Sequence, residues 1–194
     1  MIIFFDTETT GKITDYKANA EDFTKFPRII QLAWAVYDQG KEIKRVCKLI
    51  KPDGWSVPNE KFWIENGFSQ EKNMTEGVPL KEILEEFVQD RLKSKYSVAH
   101  NISFDSKIIR SEMFRASIKA DFASKKVCTM MGSIKYCNIP QPTNKNRKKF
   151  PSLTELHYHL FKTRFSGAHD AMSDVDACAK CFFELVKRKV IVLG

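Results

Sequence analysis

Four carboxylates and one imidazole stand in three short segments far apart in the chain. Asp6 and Glu8 lie in Phe5-Asp6-Thr7-Glu8-Thr9-Thr10-Gly11, Asp105 in His100-Asn101-Ile102-Ser103-Phe104-Asp105, and His169 and Asp174 in Ala168-His169-Asp170-Ala171-Met172-Ser173-Asp174. Asp6 and Glu8 follow the apolar run Ile2-Ile3-Phe4-Phe5, which reads as a buried strand whose residues two apart share a face. Two carboxylates side by side at a strand end repel, so one takes a proton or a cation lies between them. A divalent metal is the expected answer. Oxygen donors without paired histidines favour magnesium or manganese over zinc. Two such ions offset four negative charges, and a pair held about 3.5–4 Å apart can clamp an in-line phosphoryl displacement. His169 is then free to act as general base, because an imidazole titrates near neutral pH. Water attack on a phosphodiester is the reaction this set describes.

The elements that must bring these segments together are legible in outline. Arg28 to Asp38 reads as a second, mostly buried strand, Asp38-Gln39-Gly40-Lys41 as a hairpin turn, and Glu42 to Lys51 as a third strand. Lys12 to Pro27 is a polar loop over the strand ends. Leu80, Ile83, Leu84, Phe87 and Val88 recur at helical spacing, predicting a helix over Leu80 to Leu92. Tyr96 to Ala99 is a short strand, followed by a helix carrying Ile108, Ile109 and Met113, and Lys126 to Thr129 is a fifth strand. Pro140 to Pro151, with Lys145, Arg147, Lys148 and Lys149, reads as a surface loop. Ser152 to Glu155 offers a capping-box start to a helix, and Ser173 is the expected N-cap of the last one. Asp105 after its strand and Asp174 in a first helical turn are placed to converge on Asp6 and Glu8. The order implies an α/β fold, a mixed sheet flanked by helices, in one domain over 1–194.

Charge and composition narrow the partners. Lys and Arg outnumber Asp and Glu to give +8, which suits a polyanion brought to an acidic pocket, although basic balance also serves solubility alone. Five cysteines are an odd number and fall in apolar patterns, so Cys178 and Cys181 read as core thiols rather than a zinc or redox pair. The chain opens on a strand with no leader pattern, and no apolar stretch reaches the length of a membrane span. The expectation is a protein of a reducing compartment, the cytoplasm, without a membrane partner.

At this point the three segments resemble the motifs of the DEDDh 3′–5′ exonucleases, the group that includes the epsilon proofreading subunit of bacterial replicases. D-x-E-T-T-G matches Asp6 to Gly11, H-N-x-x-F-D matches His100 to Asp105, and H-x-x-x-x-D matches His169 to Asp174. The likeness extends to Arg28-Ile29-Ile30-Gln31-Leu32 and to Pro58 through Gly77. It implies a ribonuclease-H-like five-stranded sheet of order 3-2-1-4-5 and a metal-dependent 3′–5′ exonuclease. That enzyme would release nucleoside monophosphates from single-stranded or frayed DNA ends, with RNA left open. By the same resemblance, Asp6, Glu8 and Asp174 hold the ion that activates water, Asp6 and Asp105 hold a second near the leaving oxygen, and His169 deprotonates the nucleophile. Two Mg²⁺ or Mn²⁺ ions are the implied cofactors. Thr7, Thr9, Thr10, His100, Asn101, Phe104, Gly67 and Phe68 correspond to the substrate-side positions. Asn66 stands where the family often has histidine, and Lys12 to Pro27 is longer than its usual turn. Some members dimerise and others ride on a DNA polymerase.

Other readings compete at single positions. Asp105 as a plain helix cap, His169 with Asp174 as a structural pair, and Trp63 and Phe62 as packing rather than base-stacking residues all fit the sequence. For the whole chain the alternatives are a catalytically silent nucleic-acid-binding module and an endonuclease on the same two-metal core.

Overall fold

The computed structural model describes all 194 residues. In chain order the elements are β1 (Ile2–Thr9), a 3-10 turn (Phe23–Lys25), β2 (Ile29–Asp38), β3 (Lys41–Leu49), α1 (Lys61–Glu65), α2 (Gln70–Glu76), α3 (Leu80–Leu92), β4 (Tyr96–Ala99), α4 (Ile102–Arg115), β5 (Lys125–Cys128), α5 (Thr129–Cys137), β6 (Pro140–Gln141), β7 (Asn144–Lys148), α6 (Leu153–Phe161) and α7 (Ala171–Lys187). One five-stranded sheet has the order β3-β2-β1-β4-β5. β1 runs antiparallel to β2 and parallel to β4, and β4 runs parallel to β5. This is the mixed sheet expected, with the order the resemblance implied.

Alternation along β1 assigns the two sides of the sheet. Ile3 and Phe5 enter the core shared with Trp34, Phe87 and Ile108, under α3 and α4. Phe4 enters the opposite core with Val98, Phe182 and Leu185, under α6 and α7. Asp6 and Glu8 continue the Phe4 face, and Thr7 continues the other. β2 is buried over its first eight positions because strands flank it on both edges. β3 is an edge strand, studded with Lys and Arg that discourage pairing with another chain. The β2–β3 turn puts Gln39 at φ 48° and Gly40 at φ 80°, the two left-handed positions of a tight hairpin turn. A parallel neighbour aligns Phe4 with Val98, so the chain leaves β4 beside the acidic end of β1.

Several expectations need correction. Pro140 to Pro151 is not a plain loop: β6 and β7 form a separate antiparallel hairpin with all five β7 residues exposed. α5 and the short helices α1 and α2 were not foreseen. α5 contains Gly132, whose missing side chain admits Ile191: a Cβ there would lie 3.0 Å from that residue. The N-cap of α7 is Asp170, which accepts hydrogen bonds from both N–H and Oγ of Ser173, so Ser173 lies inside the helix it was expected to cap. The capping box at Ser152 and Glu155 is present. β3 stops at Leu49, with Ile50 bridging to Val78. All five cysteines are free thiols, and Cys178 and Cys181 are buried in the α7 core. No helix is long and apolar enough to cross a membrane.

Candidate active site

The end of β1 is held by hydrogen bonds on both sides. Its pairing with β2 shifts register between Glu8 and Thr9, a bulge that turns the strand end away from the ladder. Beyond it Thr10 N–H donates to Arg28 O, and Arg28 N–H donates to Thr10 Oγ1. Trp63 Nε1 reaches over from α1 to donate to Thr9 O at 3.0 Å, and Thr9 Oγ1 donates to Gly11 O at 2.7 Å. Trp63 is therefore a packing residue that clasps the strand end.

Asp105 is buried in the first turn of α4. Its Oδ1 accepts from Thr7 N–H at 3.1 Å and Thr7 Oγ1 at 2.8 Å. Those two bonds fix the carboxylate against β1 and leave Oδ2 uncommitted. Asn101, just before α4, takes a left-handed φ of 70°. His100 is tied on both ring nitrogens, Nδ1 to Thr129 Oγ1 at 3.0 Å and Nε2 to Pro151 O at 2.9 Å. Because the carbonyl can only accept, Nε2 carries the proton and Nδ1 accepts from the hydroxyl. Burial pulls this imidazole down to about 4, partly offset by the Pro151 carbonyl, so it is neutral and structural in this conformation. Phe104 packs against the core under α4.

The third segment approaches through a strained turn. Gly167 has φ 81°, and a Cβ there would meet Ser173 Oγ at 2.6 Å; His169 itself sits at φ 71°. That backbone aims the exposed His169 ring toward the acids while its N–H donates to Asp174 Oδ2 at 3.3 Å. The ring meets Phe62 edge to face, centroids 5.1 Å apart. Gln31 of β2 holds the start of α7 with both ends of its amide: Nε2 donates to Asp170 Oδ1 at 3.0 Å and Oε1 accepts from Ala171 N–H at 2.9 Å. Glu8, His169 and Asp174 offer ligand atoms all within 4.8 Å of one another.

Electrostatics sets the character of this cluster. Burial and then the charges of Asp105, Asp174, Glu8 and Asp170 hold the Asp6 carboxyl well above its usual range. Burial, with Asp174, Asp105 and Asp170, pushes Glu8 to about 8. Burial raises Asp105 to about 7 against the opposing bonds from Thr7, and raises Asp174 to about 6. Four carboxyls in a desolvated space cannot all ionise without positive charge beside them. Asp174 Oδ1 is buried with no hydrogen-bond partner, an acceptor that a cation would satisfy. The donor set therefore fits hard divalent ions.

The three sequence segments thus meet at one place. Of the substrate-side positions, Thr7 holds Asp105, His100 and Asn101 lead into the helix that carries it, and the hydroxyls of Thr7, Thr9 and Thr10 are committed to internal bonds. Gly67, at φ 80°, and Phe68 are placed differently: Phe68 is buried with Ile30 and Val57. Two contributors, Gln31 and Tyr16, were given no role in the sequence reading. Gln31 carried a signal, a lone amide in an apolar strand; Phe62, weighed between packing and base stacking, packs edge-on against the His169 ring. Tyr16, in the long Lys12 to Pro27 segment, lies near Asn101 and Asp105, and burial followed by Asp105 raises its phenol above the usual value.

Comparison with known proteins places this arrangement. A family model, RNase_T, described as an exonuclease, matches residues 3–182. The 3′–5′ exonuclease DinG of Bacillus subtilis (strain 168) is 28% identical over 186 residues, covering 96% of this chain and 18% of that protein. E. coli exonuclease I in complex with a dT13 oligonucleotide superposes with a TM-score of 0.69 at 19% identity, over 96% of this chain and 40% of the other. Exonuclease X in complex with 5′ overhanging duplex DNA gives 0.65 at 18% identity, over 99% of this chain and 95% of the other. The chain spans less than a fifth of DinG and about two fifths of exonuclease I.

Proposed function

We propose that this chain, which belongs to the RNase_T exonuclease family, removes nucleoside monophosphates from the 3′ ends of DNA as a single exonuclease domain over 1–194. The observation that carries this reading is the meeting of Asp6, Glu8, Asp105 and Asp174 around Asp174 Oδ1, a buried acceptor without a partner. Asp6, Glu8 and Asp174 would hold one Mg²⁺ or Mn²⁺ ion, and Asp6 and Asp105 a second. Bound there, the ions supply Lewis acidity and neutralise charge on the phosphate during in-line displacement.

The chain's own groups do the rest. Thr7 fixes Asp105 through two hydrogen bonds and leaves its second oxygen for a ligand. Gln31 and Asp170 fix the first turn of α7, and with it Asp174. His169, exposed and turned toward Glu8 and Asp174, takes the proton of the attacking water on its free ring nitrogen. Phe62 steadies that ring edge-on. His100 and Asn101 shape the wall at the start of α4, with Tyr16 closing it from the long loop. Single-stranded or frayed ends are the proposed substrates, in keeping with the oligonucleotide in the exonuclease I structure. A polymerase partner and a cytoplasmic setting complete the proposal.

The test is a ladder. Purified protein with Mg²⁺ or Mn²⁺ should shorten a 5′-labelled single strand one nucleotide at a time. No shortening with either ion, on DNA or RNA, refutes the reading, and internal cuts yielding oligomers would replace it with an endonuclease.

A further inference from the structure

A cleft of about 540 Å³ lies between α4 and the Lys12 to Pro27 segment, lined by none of the four acids described above. Helical spacing puts Ser103, Ser106, Lys107 and Arg110 on the face of α4 that looks into it. Lys126 and Arg91 close one end, and Phe26, Ile109, Met113 and Phe122 give it apolar walls. Its charge is one-sided. Asp121 is the lone acid in the lining, with a fully exposed carboxylate 3.5 Å from Arg110.

Arg91 is the telling residue. It is 2% exposed, its Nε donates to Ser97 Oγ at 3.2 Å, and it forms no ion pair. Its guanidinium lies over the Phe122 ring at 4.0 Å, with Phe5 and Phe87 farther off. Buried guanidinium groups are ordinarily paired with an anion, since an uncompensated charge is costly in such surroundings and a ring face offsets only part of that cost. Lys107 and Lys126 have no acidic partner either, and Ser106 Oγ is buried without a hydrogen bond. Burial and then the neighbouring Arg91, Arg110 and Lys107 lower the Lys126 ammonium. An anion entering the cleft would give Arg91, Lys107 and Lys126 a counter-charge and would add to the exposed Asp121 contact of Arg110.

We propose that this cleft binds an organic phosphate, with Arg91, Lys107, Arg110 and Lys126 contacting the phosphoryl oxygens and Phe122 and Phe26 covering the attached group. The Arg fork suits phosphate geometry, and the volume falls in the range of small-ligand sites. The phosphate has two possible sources, a free mononucleotide or a phosphate within a nucleic-acid strand. The inference does not rest on the proposed nuclease activity.

The experiment uses the full chain in EDTA, where the uncompensated acid cluster repels phosphate. Inorganic phosphate, AMP, uncharged adenosine and a single-stranded dodecamer are titrated in parallel by calorimetry. AMP or the dodecamer should bind saturably and adenosine should not. In Lys107→Ala/Lys126→Ala, affinity should fall about tenfold or more, whereas Lys145→Ala/Lys148→Ala, which removes the same charge from the β6–β7 hairpin, should bind as the parent does. A loss for AMP assigns the site to free nucleotides, and a loss for the dodecamer alone assigns it to a strand. Thermal melting confirms that both variants fold, and Lys107→Gln alone serves if the double variant does not. Absence of saturable binding by both AMP and the dodecamer, or equal weakening in the hairpin variant, overturns the proposal.

Discussion

Replacing Gln31 by methionine isolates what the amide between β2 and α7 contributes. Methionine preserves the approximate volume but neither donates to Asp170 nor accepts from the Ala171 N–H. The Ala171 bond is buried, and leaving such a donor unpaired costs about 1–3 kcal/mol. Losing the bond to the charged Asp170 adds about 1–2 kcal/mol, discounted because Asp170 stays half-exposed and keeps its bonds from Ser173. A total of about 2–5 kcal/mol should lower the urea midpoint by about 1–2.5 M, for a slope near 2 kcal/mol per M. Because Asp174 rides on the same helical turn, Mn²⁺ affinity should fall along with stability. Gln31→Glu separates the two bonds: it keeps an acceptor for Ala171 but sets a carboxylate against Asp170, so it should be no more stable than the methionine variant at pH 8. A midpoint for Gln31→Met within about 0.25 M of the parent would refute this account, as would unchanged metal affinity in a destabilised variant.

Three further outcomes are expected. Asp6→Ala should lose turnover while its urea midpoint in EDTA holds or rises, since a repelling charge has gone; a marked drop in the midpoint would contradict the repulsion described here. In EDTA, Glu8, Asp105 and Asp174 titrate at about 8, 7 and 6 in the fold, against 4.5, 3.8 and 3.8 when unperturbed. The folded state then binds more protons than the unfolded chain, so this contribution is fully present below about pH 4 and is lost as pH rises through 6 to 8. Melting temperature in EDTA should fall across that window, and Mg²⁺ or Mn²⁺ at pH 8 should restore it; a rising curve would be incompatible. His169→Asn should cut kcat by about 10²–10⁴-fold and leave Mn²⁺ affinity intact, whereas a collapse in affinity would make the imidazole a ligand rather than a base.

What was legible in the sequence and what was not divide along physical lines. Ile2 to Phe5, Ile29 to Val36 and the Leu80 to Val88 pattern declare their elements because burial demands a period, and Leu80–Leu92 and Tyr96–Ala99 agree to the residue. The three acidic segments were readable because their residue types are unusual beside buried strands. The β6–β7 hairpin buries none of its seven residues and packs on no sheet, so no alternation records it. α5 is short and carries Gly132, a poor helix former that makes room for Ile191 from a distant part of the chain. Asp170 rather than Ser173 caps α7 because Gln31, distant in sequence, also needs its carboxylate. Arg91 stands in the last turn of α3, where nothing in the local sequence separates an enclosed arginine from a solvated one, and only the fold reveals that it is buried.

α7 delivers Asp174 from its first turn and, two turns further on, lays Phe182 against Phe4 under the acidic strand end. A chain without α7 would hold three of the four acids and would lose Val175, Cys178, Phe182 and Leu185 from the core on that side of the sheet. The helix that completes the anionic set is thus the same one that closes the hydrophobic core beneath it, so the two cannot be separated by deleting α7.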